Sequence, residues 1–200
     1  LKELNASIRQ NPEFESVVKM ADKKGVPVID IGIGLNTGVA IVGEMGSSGR
    51  SDYTVIGDPI NLGSRLESLC KYYNSKLNIS HFTKAQLKGE YILRFLDLVT
   101  VKGKSEPVEI WQVHDFLDAP DLLDGVSKEA LLAELEEYHR AIALYKNASF
   151  EQALRVFEAL NSSPTKTNHA IYALYCERCE HYIEHPPTEF NGVFVHATKG

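Results

Sequence analysis

The chain has 200 residues, of which 44% are hydrophobic and 24% are charged. This composition is typical of a globular protein and excludes a disordered, collagen-like or fibrous chain. The formal net charge of −6 argues against a nucleic-acid-binding protein, because phosphate recognition requires a basic surface. Three cysteines do not make a disulfide framework in a chain of this length, so we expect a reducing compartment.

The uneven distribution of charge predicts a boundary between two domains. The first 116 residues carry as many basic as acidic side chains, whereas the whole net charge of −6 lies in residues 117–200. A short polar segment with a proline, residues 117–121, separates the two parts. We therefore predict one domain over residues 1–117 and a second over residues 118–200.

The apolar pattern of the first domain changes from a helical period to an alternating one. A helix is expected over residues 1–24, interrupted at Asn11-Pro12. A hairpin is expected from residues 28–36 and 39–45, and its glycines indicate that another group approaches the backbone closely.

A strand and a helix follow in direct succession. After a short strand at residues 53–56, Asp58 is expected to cap a helix with Pro59 at its first position, and an apolar stripe continues to Tyr73. The remaining elements are a strand at residues 77–79, a helix at residues 82–88 and a closing hairpin over residues 92–101 and 107–114. Because strands and helices mix without regular βαβ alternation, we predict the α+β class.

The second domain is predicted to be wholly helical. Amphipathic patterns indicate helices over residues 128–146, 150–160 and 165–184. Small and large side chains occupy the positions typical of a tetratricopeptide-type helical hairpin, namely Ala141, Leu144, Ala153 and Phe157. Since one such hairpin cannot bury both of its faces, we expect it to pack on the third helix or on the first domain.

Asn61 and Arg65 are the first candidate site residues. They are four residues apart, hence on one face of the helix, and that face is offset from the apolar stripe. In the first two turns of a helix, unpaired N–H groups and the helix dipole favour an anion, so the pair suits a phosphate and its neighbouring sugar. The structural alternative is an asparagine that closes the helix cap and a solvated arginine.

Two other patterns do not complete a known motif. Gly103-Lys104 lacks the glycine that a P-loop has five positions earlier, where Leu98 stands, so Lys102 and Lys104 form either a basic strand end that meets phosphate or a charged hairpin tip. The cysteines and histidines near the end of the chain would not converge on zinc from one continuous helix, and packed thiols with exposed histidines are the simpler interpretation: Cys176, Cys179, His181 and His185.

Four ordered motifs resemble those of the class III nucleotidyl cyclase catalytic domain. They are IGIGLNTG at residues 31–38, VGEMG at residues 42–46, DYTVIGDPINLGSRLE at residues 52–67 and VKGK at residues 101–104. The resemblance covers residues 15–116. It implies a ferredoxin-like α+β domain that forms a head-to-tail homodimer with its active sites at the interface.

The resemblance also implies roles for single residues. Asn61 would position the ribose, Arg65 would stabilise charge that develops on the α-phosphate, and Lys102 rather than Lys104 would hold the terminal phosphates. Thr54 falls at a base-reading position, where threonine or aspartate goes with adenine and cysteine or serine with guanine. The expected activity is that of an adenylate cyclase, which converts ATP to cyclic AMP and pyrophosphate in intracellular signalling.

The residues that bind metal ions in the active site of the family have no counterpart in this sequence. Members of the family bind two divalent ions, magnesium or manganese, through two aspartates, and these and a base-reading lysine lie upstream of the segment with which this chain begins. Nothing in residues 1–27 resembles them. We therefore expect this fragment to hold no metal ion and to be inactive alone, while the intact protein is active.

The helical extension has a weaker family resemblance. Its end, Pro186-Pro187 followed by residues 190–195, resembles the extension after the cyclase domain in some bacterial membrane-anchored sensor cyclases. This implies a cytoplasmic domain of an inner-membrane protein, with a protein partner for the tail. Two alternatives stay open: a guanylate cyclase, or a non-catalytic dimerisation or regulatory module whose helical tail binds a partner protein.

Overall fold

The computed structural model describes residues 2–47, 50–100, 107–118, 126–164 and 166–193. The chain divides into two compact units, Leu1–Gly32 and Ile33–Gly200. The first unit contains helices α1 (Lys2–Gln10) and α2 (Glu15–Lys24), joined by a 3-10 turn at Pro12–Phe14. The predicted interruption at Asn11-Pro12 is confirmed, because the Asn11 side chain accepts a hydrogen bond from the backbone N–H of Glu13 and so starts a new turn.

The second unit is built on a four-stranded sheet. Its strands are β1 (Ile33–Leu35), β4 (Leu77–Ser80), β6 (Val108–Phe116) and β5 (Tyr91–Val99), in that spatial order. A separate hairpin consists of β2 (Ile41–Ser47) and β3 (Arg50–Ile56). The helices are α3 (Asp58–Tyr72), α4 (His81–Lys84), α5 (Lys128–Lys146), α6 (Phe150–Ser162) and α7 (His169–Glu184). The predicted α+β class is confirmed.

The predicted hairpin of residues 28–36 with residues 39–45 is wrong. Only three residues of the first segment form a strand, and this strand pairs in parallel with β4 instead. The partner of β2 is β3, with Ile41 opposite Ile56. Gly34 in this segment allows β1 to pack closely against α3. A Cβ atom built on it would lie 2.3 Å from the carbonyl oxygen of Gly63 and from the backbone nitrogen of Glu67.

Three element boundaries also differ from the prediction. The N-cap of α3 is Gly57 at φ +149°, and Asp58 is already helical, because the carbonyl of Gly57 accepts the N–H groups of Ile60 and Asn61. Helix α4 is a single turn rather than seven residues. Helix α7 begins at His169 because the Asn168 side chain caps it by accepting the N–H of Ile171.

The hydrophobic core is continuous from the sheet into the C-terminal helices. Buried side chains from α3, β5, β6 and α5 to α7 form one cluster, which includes Leu66, Leu96, Ile110, Tyr138 and Phe157. The helical hairpin therefore packs both on its third helix and on the sheet, as the sequence led us to expect. The tetratricopeptide likeness and the domain boundary at residue 117 stay predictions.

A buried ion pair joins α7 to the sheet. Both terminal nitrogens of Arg178 bind the carboxylate of Asp97 on β5, at 2.8 and 2.7 Å, and both side chains are almost completely buried. The hydroxyl of Tyr73, next to the end of α3, donates to the same carboxylate at 2.8 Å. Burial and the neighbouring charge of Asp97 raise the pKa of Tyr73, so it stays a hydrogen-bond donor.

A second ion pair lies further along the same strand. Arg94 of β5 has no exposed side-chain surface and binds Glu134 of α5 at 2.8 Å. The hydroxyl groups of Thr167 and Tyr172 complete this cluster by donating to Glu134. Both charged residues of β5 thus bind to the segment that contains α5 to α7, residues 126–193, which we call the helical tail.

The tail also covers the backbone of β5, which is the last strand of its sheet. Where a bulge interrupts the ladder near Phe95, the backbone N–H of Phe95 donates to Nε2 of His139 and its carbonyl accepts from the hydroxyl of Tyr138. The next carbonyl, of Leu96, accepts from the hydroxyl of Tyr175. Helical side chains therefore occupy backbone groups of an edge strand that would otherwise be open to pairing with another chain.

Replacement of Gly34 by alanine is expected to destabilise the second unit by about 1–3 kcal/mol, because the new methyl group meets the backbone of α3. The matched control is Gly63→Ala on the opposing helix, where the added Cβ meets its nearest neighbour at 3.9 Å. This control should stabilise the helix by up to about 1 kcal/mol. Urea unfolding of both variants measures the difference, and equal effects would contradict the packing described for β1.

Replacement of Arg178 by methionine should lower the free energy of unfolding by about 3–5 kcal/mol, because it leaves the buried carboxylate of Asp97 uncompensated. The control is Arg140→Met, which breaks the exposed pair with Glu137 on α5 and should have little effect. Unfolding is followed by the fluorescence of Trp111, the chain's one tryptophan, and by helical circular dichroism. The two signals should change together, since sheet and tail share one core; separate transitions would contradict this.

Candidate active site

The candidate site lies where strand β3 leads into helix α3. One face of α3 is buried through Leu62, Leu66 and Cys70. Asn61 and Arg65 lie on the exposed side, one turn apart, which corresponds to about 6 Å along the helix axis. The amphipathic pattern of this helix therefore presents an amide and a guanidinium group together to the outside of the unit.

The structure places the cap of α3 one residue earlier than the sequence predicted. The cap residue of α3 is Gly57, and the cap has no side-chain hydrogen bond. Asn61 and Arg65 are both exposed. Because Asp58 places a carboxylate in the first turn, the helix N-terminus is already partly neutralised, and a bound anion would rely on Arg65. A guanidinium group stays charged and binds phosphate oxygens in pairs, which suits it to this position.

Thr54 lies on β3 directly opposite Gly43 of β2. It is half-buried, and a Cβ atom built on Gly43 would meet no atom within 4 Å, so the space across the ladder from Thr54 is open. Only two residues separate Thr54 from the cap of α3. The hydroxyl group and the Asn61–Arg65 face thus belong to one continuous strand–turn–helix segment.

A polar bridge that we did not predict fixes the start of α3. Nδ2 of Asn36, just after β1, donates to the carbonyl of Pro59 at 3.0 Å, and its Oδ1 accepts from the hydroxyl of Ser80 at 2.6 Å. Thr37 bonds in turn to Thr83 of α4 at 3.1 Å. The only sequence signal was an Asn-Thr pair after an apolar strand, which is common in turns.

Lys102 and Lys104 lie outside the described residues. The strands on either side of them are described, and the last pair of the β5–β6 ladder is Val99 with Val108. The structure thus brings Thr54, Asn61 and Arg65 into one segment, and the role of Lys102 stays a prediction.

A metal site with three or more protein ligands is not found among the described residues. Within them, no group of three or more histidine, cysteine, aspartate or glutamate side chains is arranged to hold a metal ion. Helix α7 is continuous through Cys176 and Cys179, and burial raises the pKa of Cys179 to about 12, so this thiol stays protonated.

Comparison with known proteins identifies the family. Residues 12–115 match the family described as the adenylate and guanylate cyclase catalytic domain. The chain belongs to this family. The match includes the complete β3–α3 segment with Thr54, Asn61 and Arg65. In the part of the chain described, this cyclase domain contains no helix with the length and hydropathy of a membrane span.

Individual relatives match parts of this cyclase domain and its tail. The terminal-differentiation specific adenylate cyclase of Dictyostelium discoideum is 34% identical over 162 residues, which are 76% of this chain and 7% of that protein. An adenylate cyclase of Anabaena cylindrica is 39% identical over 46% of this chain and 19% of its own length. The adenylyl cyclase CyaB from P. aeruginosa, a crystal structure, is 34% identical over 56% of this chain and 57% of its own, with a TM-score of 0.39.

The extent of these matches has two consequences. The chain spans less than a fifth of the length of the two curated relatives. The family match ends at residue 115. The match to the Dictyostelium protein covers 76% of this chain, which is more than its first 115 residues, so this match continues into the helical tail. The tail thus has a counterpart beside a cyclase domain in another protein.

Proposed function

We propose that this chain is the substrate-binding part of an adenylate cyclase, which converts ATP to cyclic AMP and pyrophosphate. The observation that carries the proposal is the exposed Asn61–Arg65 face on α3, within the family match. The adenylate cyclases of Dictyostelium and Anabaena among the relatives support the same activity. The divalent ions that cyclases use would be held by the two aspartates of the family, which have no counterpart in residues 1–27.

The reaction requires the ribose 3′-oxygen to attack the α-phosphorus in line with the departing pyrophosphate. In our proposal, the amide of Asn61 holds the ribose so that this oxygen is aligned, which converts binding energy into orientation. Arg65, one turn further along α3, donates to the α-phosphate oxygens as their negative charge increases. Lys102 would bind the terminal phosphates from the β5–β6 connection.

The choice of ATP over GTP rests on Thr54. A hydroxyl beside an open space can accept or donate a hydrogen bond at the edge of a base, and the family resemblance associates threonine here with adenine. A guanylate cyclase is the second candidate, because the matched family includes both activities.

A homodimer is part of the proposal. The β2–β3 hairpin exposes apolar side chains on both of its faces: Ile41, Val42, Met45, Tyr53, Val55 and Ile56. An apolar surface of this kind is typical of protein–protein contacts. The membrane anchor, a bacterial origin and a protein partner for the tail stay predictions from the resemblance.

Arg65→Ala in the full-length protein is expected to lower kcat by a factor of about 10² or more, because a contact made mainly in the transition state is lost. The matched control is Lys71→Ala, which removes another exposed basic residue from the last turn of the same helix and should leave kcat unchanged. Cyclic AMP formation with Mn²⁺ is measured for both. An unchanged kcat in Arg65→Ala would exclude this residue from the mechanism.

The full-length protein should turn over ATP with a kcat/KM at least about tenfold above that for GTP, and Thr54→Cys should reduce this ratio. Cyclic nucleotide formation from each substrate, measured at equal metal concentration, provides the comparison. A preference for GTP would support the guanylate cyclase. Absence of both activities, with folding confirmed by circular dichroism, would favour the non-catalytic module.

A further inference from the structure

Among the described residues, three asparagine side chains from outside α3 donate hydrogen bonds to carbonyl groups along this helix and at its end. The pairs are Asn36 with the carbonyl of Pro59 at 3.0 Å, Asn78 with that of Leu66 at 3.0 Å and Asn168 with that of Tyr73 at 2.8 Å. The acceptors are seven residues apart, close to two helical turns, so they lie along one side of α3. This side is opposite in role to the exposed face of the candidate site, because it attaches the helix to its surroundings.

The first two of these bonds enclose the candidate site residues. Pro59 lies two residues before Asn61, and Leu66 directly follows Arg65. The side chains of Asn61 and Arg65 are exposed, yet the backbone that carries them is bound at both ends. The part of α3 that presents the amide and the guanidinium group is therefore the part that is held most directly.

A serine hydroxyl orients each of these two asparagines. Oδ1 of Asn36 accepts from the hydroxyl of Ser80 at 2.6 Å, and Oδ1 of Asn78 accepts from the hydroxyl of Ser75 at 2.7 Å. Both serines and Asn78 are buried. Because the hydroxyl donates to Oδ1, the donor Nδ2 faces the carbonyl of α3, and an amide turned over would lose both bonds.

The first turn of α3 depends on this support. Its N-cap Gly57 has no side-chain hydrogen bond, and the N–H of Asn61 reaches the Gly57 carbonyl only at 3.4 Å. A Cβ atom built on Gly38 would lie 2.6 Å from the ring of Pro59, so the segment after β1 packs directly on this turn. The start of the helix is thus placed by the Asn36 bond and by packing rather than by a side-chain cap.

Asn168 makes the same kind of bond at the other end of the helix. Its acceptor Tyr73 is eight residues beyond Arg65, about 12 Å along the helix axis. The side chain of Asn168 is buried and also caps α7 by accepting the N–H of Ile171. This bond docks the helical tail on the end of α3, away from the candidate site.

We propose that Asn36 and Asn78 are positioning residues of the nucleotide site. By binding α3 on either side of Asn61 and Arg65, they keep this pair aligned for the ribose and the α-phosphate. This inference rests on the proposed function. Side chains that are already in place need no ordering during the reaction, so loss of either bond should lower kcat more than it changes the affinity for ATP.

The test compares three alanine variants of the full-length protein. Asn36→Ala and Asn78→Ala each remove one of the bonds that flank the site. Asn168→Ala is the matched control, because it removes a buried asparagine bond to the far end of the same helix. The kcat and KM for cyclic AMP formation with Mn²⁺ are measured for each variant, together with thermal unfolding by circular dichroism.

Asn36→Ala and Asn78→Ala should lower kcat at least about tenfold and change KM for ATP by less than about threefold. Asn168→Ala should lower Tm and leave kcat unchanged. If Asn78→Ala does not fold, the result for Asn36→Ala decides, since Asn36 is only half-buried.

Two results would overturn this inference alone. The first is an active wild type with an unchanged kcat in Asn36→Ala. The second is an equal loss of kcat in Asn168→Ala, because activity would then follow stability rather than the position of the site residues. If the wild type forms no cyclic nucleotide, the proposed function fails and this inference fails with it.

Discussion

The buried pair of Asp97 and Arg178 is the constraint on which the second unit depends. Two charges without solvent contact are stable only when each compensates the other, so β5 and α7 must dock together for either to be buried. Tyr73 adds the end of α3 to the same carboxylate. One carboxylate thus links strand β5, the end of the helix that contains Asn61 and Arg65, and helix α7.

This constraint changes how the tail relates to the cyclase domain. A helical extension joined by a polar linker suggests an independent module, yet its tyrosine hydroxyls and one histidine bond to the backbone of β5, and its apolar side chains complete the core under the sheet. Helices α5 to α7 are therefore joined to the sheet by packed apolar side chains and by two buried ion pairs.

The side chains of the candidate site, unlike the buried ion pairs, are exposed on a helix whose backbone is held in place. The side chains of Asn61 and Arg65 are exposed. Their backbone is held by Gly34 packing under α3 and by the Asn36 bridge to Pro59. Exposed polar side chains on a rigidly held helix are suited to binding a charged ligand with little reorganisation. The segment from β3 to α3, which presents these side chains, lies within the family match.

The sequence by itself determined the elements with strong local signals. It predicted α5 and the β5–β6 hairpin closely, the break at Asn11-Pro12, the α+β class and the family, because periodicity, proline and glycine act locally. Only the tertiary structure decided the partner of β1. A strand of three residues has too little pattern to select its partner, and the close packing of Gly34 against α3 places it beside β4. The tertiary structure alone also decided that Asp97 and Arg178, 81 residues apart, form one buried pair, because no local pattern reports which charges meet.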